Sequence, residues 1–535
     1  MAQAKAEPVW ISPNQTIRLK PWLSFNVLSI LNFKAASLFS IDSSNSTFSN
    51  FILFNFHSKK SVTSTVSVFS STLTANFLLL DRISSDNFIF FKNSNGSISD
   101  SDIQFVNSTE TFMRLSSSSF RFGNVTTVNA NVTSIITLDS SALYCHEFII
   151  SRVITNSVLV SKDSIIALSN KFFLNSTSLS FTNSQLSALF QASNSIIEFN
   201  YVQTFNISFS QPIIYYVFNI SDSQFLLANF YADVINVPII TARDSQISLW
   251  SVHISLSSSD ILFDLISTSF TLSNGNFSII SSRVLYSFNS EVILQDVRLA
   301  RLTDPSIDEK SISGYLNLFH FISSNVTASG FVFNNLITHL LFYSFNSNMT
   351  FTNGTFSNIV LYCAFNLSDT VFTSDNSLFE GLTLIDSFVA LYNSSCSLHL
   401  WTIQDIESFT LFEVSDSSLS ISQLSVDFFE SVSLFNISNS HVNFDQISVQ
   451  TCKALSTSDE FESYFIIINT LLVFNNFKFS GCSYQLVFKS DFEITNSSVT
   501  LTSSTEVLFL SSLTAQNSSI TFSSGYPIIS KFASN

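Results

Sequence analysis

The sequence predicts an all-β chain: a single right-handed parallel β-helix of about 20 coils with about 22 residues per coil. Three observations carry this reading: a long-range period, a two-residue alternation within it, and a composition suited to stacking. The period comes from a recurring phrase in which a hydrophobe is followed by two or three of Ser, Asn or Asp and then by alternating hydrophobes. The first apolar residue after each polar turn marks the coil. Ile98, Phe120, Leu143 and Ile166 stand 22, 23 and 23 residues apart; Phe225, Ile247, Phe270 and Val292 stand 22, 23 and 22 apart; Val326, Met349 and Val371 stand 23 and 22 apart. Leu398, Leu419 and Val442 carry the register on, and Phe48 and Leu73 precede it with longer turns. The longer step from Val292 to Val326 marks an insertion.

Within the coils the alternation is that of strands, as in residues 61–68 and 498–503, with β-branched and aromatic enrichment. The fixed leucine-rich phrase is missing, and helical repeats need longer periods. Each coil should therefore hold about three short strands separated by polar turns. The composition fits: only 11% of residues are charged, and 59 Phe stand beside 9 Gly and 7 Pro, where an average soluble protein has roughly 25% charged residues. In a stack, the same position recurs on rungs about 4.8 Å apart, so Phe can sit on Phe and Asn on Asn while like charges repel. Ser, Asn and Asp can build the turns by bonding their own backbone. Right-handedness follows from the strong preference of parallel crossovers.

Along the chain, residues 1–24, with Pro8, Pro13 and Pro21, read as an N-terminal cap or leader. Arg18 and Lys20 precede an apolar run that loosely resembles a signal peptide, but Ser24, Asn26, Ser29 and Asn32 interrupt it, so it reads as the first strand. Residues 25–535 form the helix, with insertions near 302–314 and 456–463. The first gathers Asp304, Asp308 and Glu309 without EF-hand spacing, and reads as a solvated candidate contact loop. The apolar stretch 464–474 is too short to span a membrane and is broken by Asn469 and Thr470. It reads as two buried strands. Gly525 to Pro527 is a weaker candidate cap, and an uncapped end would favour end-to-end self-association.

The formal charge of −16, from 22 basic and 38 acidic residues without runs, argues against nucleic acid as a partner. The cysteines are too scattered for a disulfide framework or a CxxC metal site. Cys452 lies ten residues after Val442, and Cys482 ten after Leu472; equivalent places on adjacent coils would put their Cα atoms within disulfide reach. Whether they bond depends on compartment. Around Tyr144, alternation puts Cys145 and Glu147 on one face and His146 on the other, which defeats a compact metal site. No metal or cofactor is expected. Asn-x-Ser/Thr triplets at Asn45, Asn107, Asn124, Asn206, Asn276, Asn348, Asn436 and Asn517 are candidate glycosylation sites if the chain is exported, although a Ser-, Thr- and Asn-rich composition also produces them.

Phe-x-x-Asn phrases at Phe90, Phe172, Phe331 and Phe345, with shorter Phe-x-Asn versions at Phe122, Phe181, Phe351 and Phe356, resemble the right-handed β-helices of the pectin-lyase-like superfamily. They resemble in particular the polymorphic outer-membrane-protein type of surface adhesin, and similar repeats occur in large surface proteins of protists. The resemblance implies a non-enzymatic structural or adhesive solenoid at the cell surface or in the extracellular space, with glycans or surface proteins as partners. It also raises the alternative of a carbohydrate-binding or polysaccharide-degrading β-helix. The polygalacturonase-type phrases Asn-Thr-Asp, Asp-Asp and Gly-His-Gly do not occur, so the adhesive reading leads.

Overall fold

The computed structural model describes side chains chiefly between Val66 and Thr451, leaving aside residues 85–87, 105, 108–110, 150–156, 168–189, 203–215, 233–237, 256–260, 279–282, 301–316 and 432. Beyond that span it describes mainly the backbone of strands, from Ile17 to Ile529. The fold is an all-β parallel β-solenoid, with about 13 turns of roughly 23 residues among the described residues. The chain divides into two compact units, Met1–Trp250 and Ser251–Asn535. In each, one coil pairs in parallel with the next. Parallel pairing begins at Ile17–Leu19, which pairs with residues 39–41.

The second unit is the more regular. Asn348–Ser368, Ser395–Ser415 and Ser418–Ser438 are each a strand running through nearly a whole coil. They bend at residues with positive φ. The first corner of successive coils holds Asn346, Asp369, Asn393, Asp416 and Asn439; the second holds Asn353, Asn376, Leu400, Gln423 and Gln446; the third holds Asn358, Gly381, Asp405, Phe428 and Thr451. Asn and Asp tolerate this left-handed conformation because their short polar side chains bond locally. That is how the chain turns with so few glycines. Three bends per coil match the three short strands expected.

Among the described residues a buried hydroxyl follows the first corner of each coil, and it locks that corner. In the first unit the backbone N–H of Ser94 donates to Ser118 Oγ at 3.1 Å, that of Ser118 to Ser141 Oγ at 3.1 Å, and that of Ser141 to Ser164 Oγ at 3.0 Å. The ladder continues through Ser195, Ser223 and Ser245. In the second unit it runs from Thr268 to Ser290 and Ser324, and again from Thr370 through Ser394, Ser417 and Ser440 to Thr470. Each hydroxyl in turn donates to the carbonyl two residues back, as Ser394 does to Tyr392 at 2.8 Å. The corner thus pairs polar groups that water cannot reach, each worth about 1–3 kcal/mol if left unmet.

Phenylalanine fills the interior by stacking on itself. Phe319, Phe342 and Phe365 are register partners on three coils, with centroids 5.3 and 5.1 Å apart. Phe356 stacks on Phe379 at 4.7 Å and Phe412 on Phe435 at 5.4 Å. Trp401 is fully buried among them and its indole N–H donates to Ser374 Oγ at 2.9 Å. Asparagine also stacks, on the outside: Asn348 donates to Asn325 at 3.1 Å and Asn376 to Asn353 at 2.7 Å.

The coil markers hold within long runs and slip at named places. Phe120, Leu143 and Ile166 are register partners in order, as are Phe270, Val292, Val326 and Met349. The partner of Phe120 on the preceding coil, however, is Gly96; Ile98 pairs with Phe122. Met349 pairs with Phe372, and Val371, one residue away, is 52% exposed. A one-residue slip in a strand changes the face. Cys396, not Leu398, carries the register from Phe372 to Leu419. The coil length is also uneven: in the first unit Ile165 pairs with Ile196 and Ile196 with Gln224, 31 and 28 residues on.

Candidate functional site

One sheet face of the second unit gathers rings and carboxylates. Its central column follows the register from Asp264 to Tyr286, His320, Tyr343, Asn366, Ala390, Glu413 and Asn436. These positions lie three residues before the first corner of each coil, where they are half-buried, except Ala390, which is buried with Leu340 and Cys363 beneath Tyr343. His320 stands edge-on between Tyr286 and Tyr343, with centroids 5.2 and 4.6 Å away. Arg283 lies over the Tyr286 ring at 5.9 Å. Burial pushes the His320 imidazole down to about 4, and the Arg283 cation adds to the shift. Both ring nitrogens of His320 are shielded from solvent and lack a hydrogen-bond partner, so the neutral ring acts as an aromatic spacer.

Two flanking columns complete the face. On one side His339 stacks on Tyr362 at 4.8 Å, nearly parallel, and the Tyr362 hydroxyl donates to Asp386 on the next coil. On the other side the Tyr392 hydroxyl donates to Glu413, which also accepts from Ser387 Oγ at 2.8 Å. Burial raises the Asp386 carboxyl above its usual range, and the nearby Glu413 carboxylate raises it further. Burial also pushes the Tyr392 phenol up to about 12, with Glu413 contributing. The carboxylates therefore hold tyrosine rings in place across rungs. Both carboxylates accept from this chain's own hydroxyls.

The residues singled out from the sequence fall elsewhere. Cys452 and Cys482 are direct Cα partners on adjacent strands. Asp304, Asp308 and Glu309 lie outside the described residues, as do residues 456–462, Asn206 and Asn517. The side chain of Asn45 is likewise not described. Asn107, Asn124, Asn276 and Asn348 are exposed, whereas Asn436 is half-buried in the central column; Asn124 donates to Asp100 at 2.8 Å.

Near Tyr144 the alternation breaks at a corner. Cys145 and Phe148 are buried, His146 is exposed, and Glu147 is only partly covered, so Cys145 and Glu147 do not share an inward face. Burial raises the Cys145 thiol to about 12. Cys363 and Cys396 are buried as well, with their thiols raised by burial. Among the described residues no group of three or more His, Cys, Asp or Glu could hold a metal ion, and no helix is long and apolar enough to cross a membrane.

None of the aromatic face was found from the sequence. Counting back three residues from each polar turn would have revealed Tyr286, His320 and Tyr343, because that offset is constant while the coil length is not. Fold and face together define a parallel β-solenoid with an aromatic outer strip. No protein-family model matches the chain, and no curated protein matches it.

Proposed function

We propose that the chain is a non-enzymatic binding solenoid of the cell surface or extracellular space, adhesive or structural, whose aromatic face takes an extended glycan. The observation that supports this is the Tyr286, His320 and Tyr343 column with its Tyr362 and Tyr392 flanks. Rungs about 4.8 Å apart are close to the length of one sugar residue, so ring faces and edges on successive coils suit successive sugars. The fixed tyrosines are ordered before binding, which lowers the entropic cost of association. A likeness to pectin-lyase-like β-helices and their adhesin relatives fits this reading, and the exposed Asn-x-Ser/Thr sites are its candidate glycan attachments.

A second reading, polysaccharide cleavage, draws on one feature: Asp386 and Glu413 stand on adjacent coils, and the Asp386 carboxyl is raised. Glycosidic chemistry uses such pairs. Here both carboxylates are engaged by tyrosine hydroxyls, which favours binding over catalysis. A glycan array followed by a turnover assay on acidic polysaccharides separates the two. Binding without turnover, weakened about tenfold in Tyr343→Ala, is the expected result. Cleavage abolished by Glu413→Gln would establish the enzyme instead.

A further inference from the structure

A concavity lies in the first unit. Four successive coils meet there at a corner, and large side chains stand beside small ones. The outward column reads Ser97, Arg121, Tyr144, Ala167. The adjoining corner carries Ser99, Gly123 and His146. Together they enclose an open concavity of about 450 Å³, within the size range of small-molecule sites. Gly123 is required for its shape: a Cβ there would come within 2.1 Å of the Ser99 carbonyl oxygen. The backbones of two coils approach so closely only because this residue has no side chain. Ala167, in line with Tyr144, leaves the far side open.

The chemistry at the rim is that of a cation beside an aromatic ring. Arg121 lies over the Tyr144 ring at 5.8 Å, and among the described residues this ring is its contact. The guanidinium is thus held in place by stacking, with its planar fork of donors available. Phe122 and Cys145 also line the concavity, but their side chains turn inward, Phe122 against Phe120 at 4.6 Å and the Cys145 thiol to the Glu147 carbonyl oxygen at 3.3 Å, so the Tyr144 ring is the apolar side chain presented outward.

We propose that this concavity binds a small carboxylate carried on a flat apolar body, with the carboxylate paired to Arg121 and the body lying beside the Tyr144 ring. A guanidinium pairs bidentately with a carboxylate, and a flat apolar group suits the exposed edge of the Tyr144 ring.

Ligand-observed NMR of the full chain with benzoate as the probe, and benzamide as its uncharged match, tests this. Saturable benzoate binding is expected, at least about tenfold weaker for benzamide and in Arg121→Gln. Ala167→Phe, which fills the concavity from the far side, should abolish it while the aromatic face keeps its glycan binding. Thermal melts of both variants verify that they remain folded; Arg121 is exposed, so its variant should melt as the parent does. Benzoate and benzamide binding equally, undiminished binding in either variant, or no saturable binding would overturn the proposal.

Discussion

The first corner of each coil and the other two solve the same geometric problem by different means. At the first corner a left-handed residue is followed by Ser or Thr, whose hydroxyl accepts from the previous coil's N–H and donates to a carbonyl. The residue type there hardly varies. At the second and third corners the same backbone conformation is held mainly by the surrounding ladders. Asn353 and Asn376 share their column with Leu400, and Asn358 shares its own with Phe428 and Thr451. Leu400 is 43% and Phe428 60% exposed. A left-handed backbone costs an ordinary L-residue roughly 1–2 kcal/mol. Side-chain bonding therefore fixes sequence at one corner, and backbone pairing relaxes it at the others.

This contrast can be broken most severely at the buried ladder. Ser394→Ala leaves the Thr370 N–H without its acceptor, and urea denaturation should show a loss of about 2 kcal/mol. Ser394→Thr should be tolerated, since Thr268, Thr370 and Thr470 occupy equivalent places. A loss under a few tenths would show that the ladder does not hold the corner.

The same rule, that enclosed polar groups are costly where exposed ones are not, applies to His320. Its folded-state pKa is pushed down to about 4 from 6.5. The neutral ring's contribution is fully present above about pH 6.5 and is lost as pH falls through about 4. Across that window the parent should lose on the order of 1–2 kcal/mol relative to His320→Phe, which keeps a ring without a proton. Parallel stability curves for the two proteins would refute this.

The smallest effect belongs to the relaxed corner. Leu400→Asn should stabilise the chain by about 1 kcal/mol, because Asn accepts positive φ more readily and the exposed leucine gives up little burial. Thermal denaturation reads this as a small rise in midpoint. No rise would mean that Leu400 gains from packing what it loses in backbone strain.

The sequence by itself determined the solenoid. A stack selects each residue for how it sits on its own kind one coil away, so period, alternation and low charge all record the same constraint. Phe120, Leu143 and Ile166 could be aligned by counting because no residue is inserted between their turns. Counting failed where a neighbouring apolar residue passes for the marker. Gly96 takes the place given to Ile98, and Phe372 that given to Val371, since a shift of one or two residues leaves a hydrophobic phrase looking the same while moving it to another rung position.

Only the tertiary structure decided which side chains share a face. Tyr286 and His320 are 34 residues apart and His320 and Tyr343 are 23 apart, yet all three are consecutive register partners. Arg121, Gly123 and Tyr144 are brought to one concavity in the same way. Hydrogen bonds between backbones set the register, and loops of unequal length are absorbed between rungs. A column on the surface is therefore a property of the pairing, whereas the repeat that permits pairing is already written along the chain.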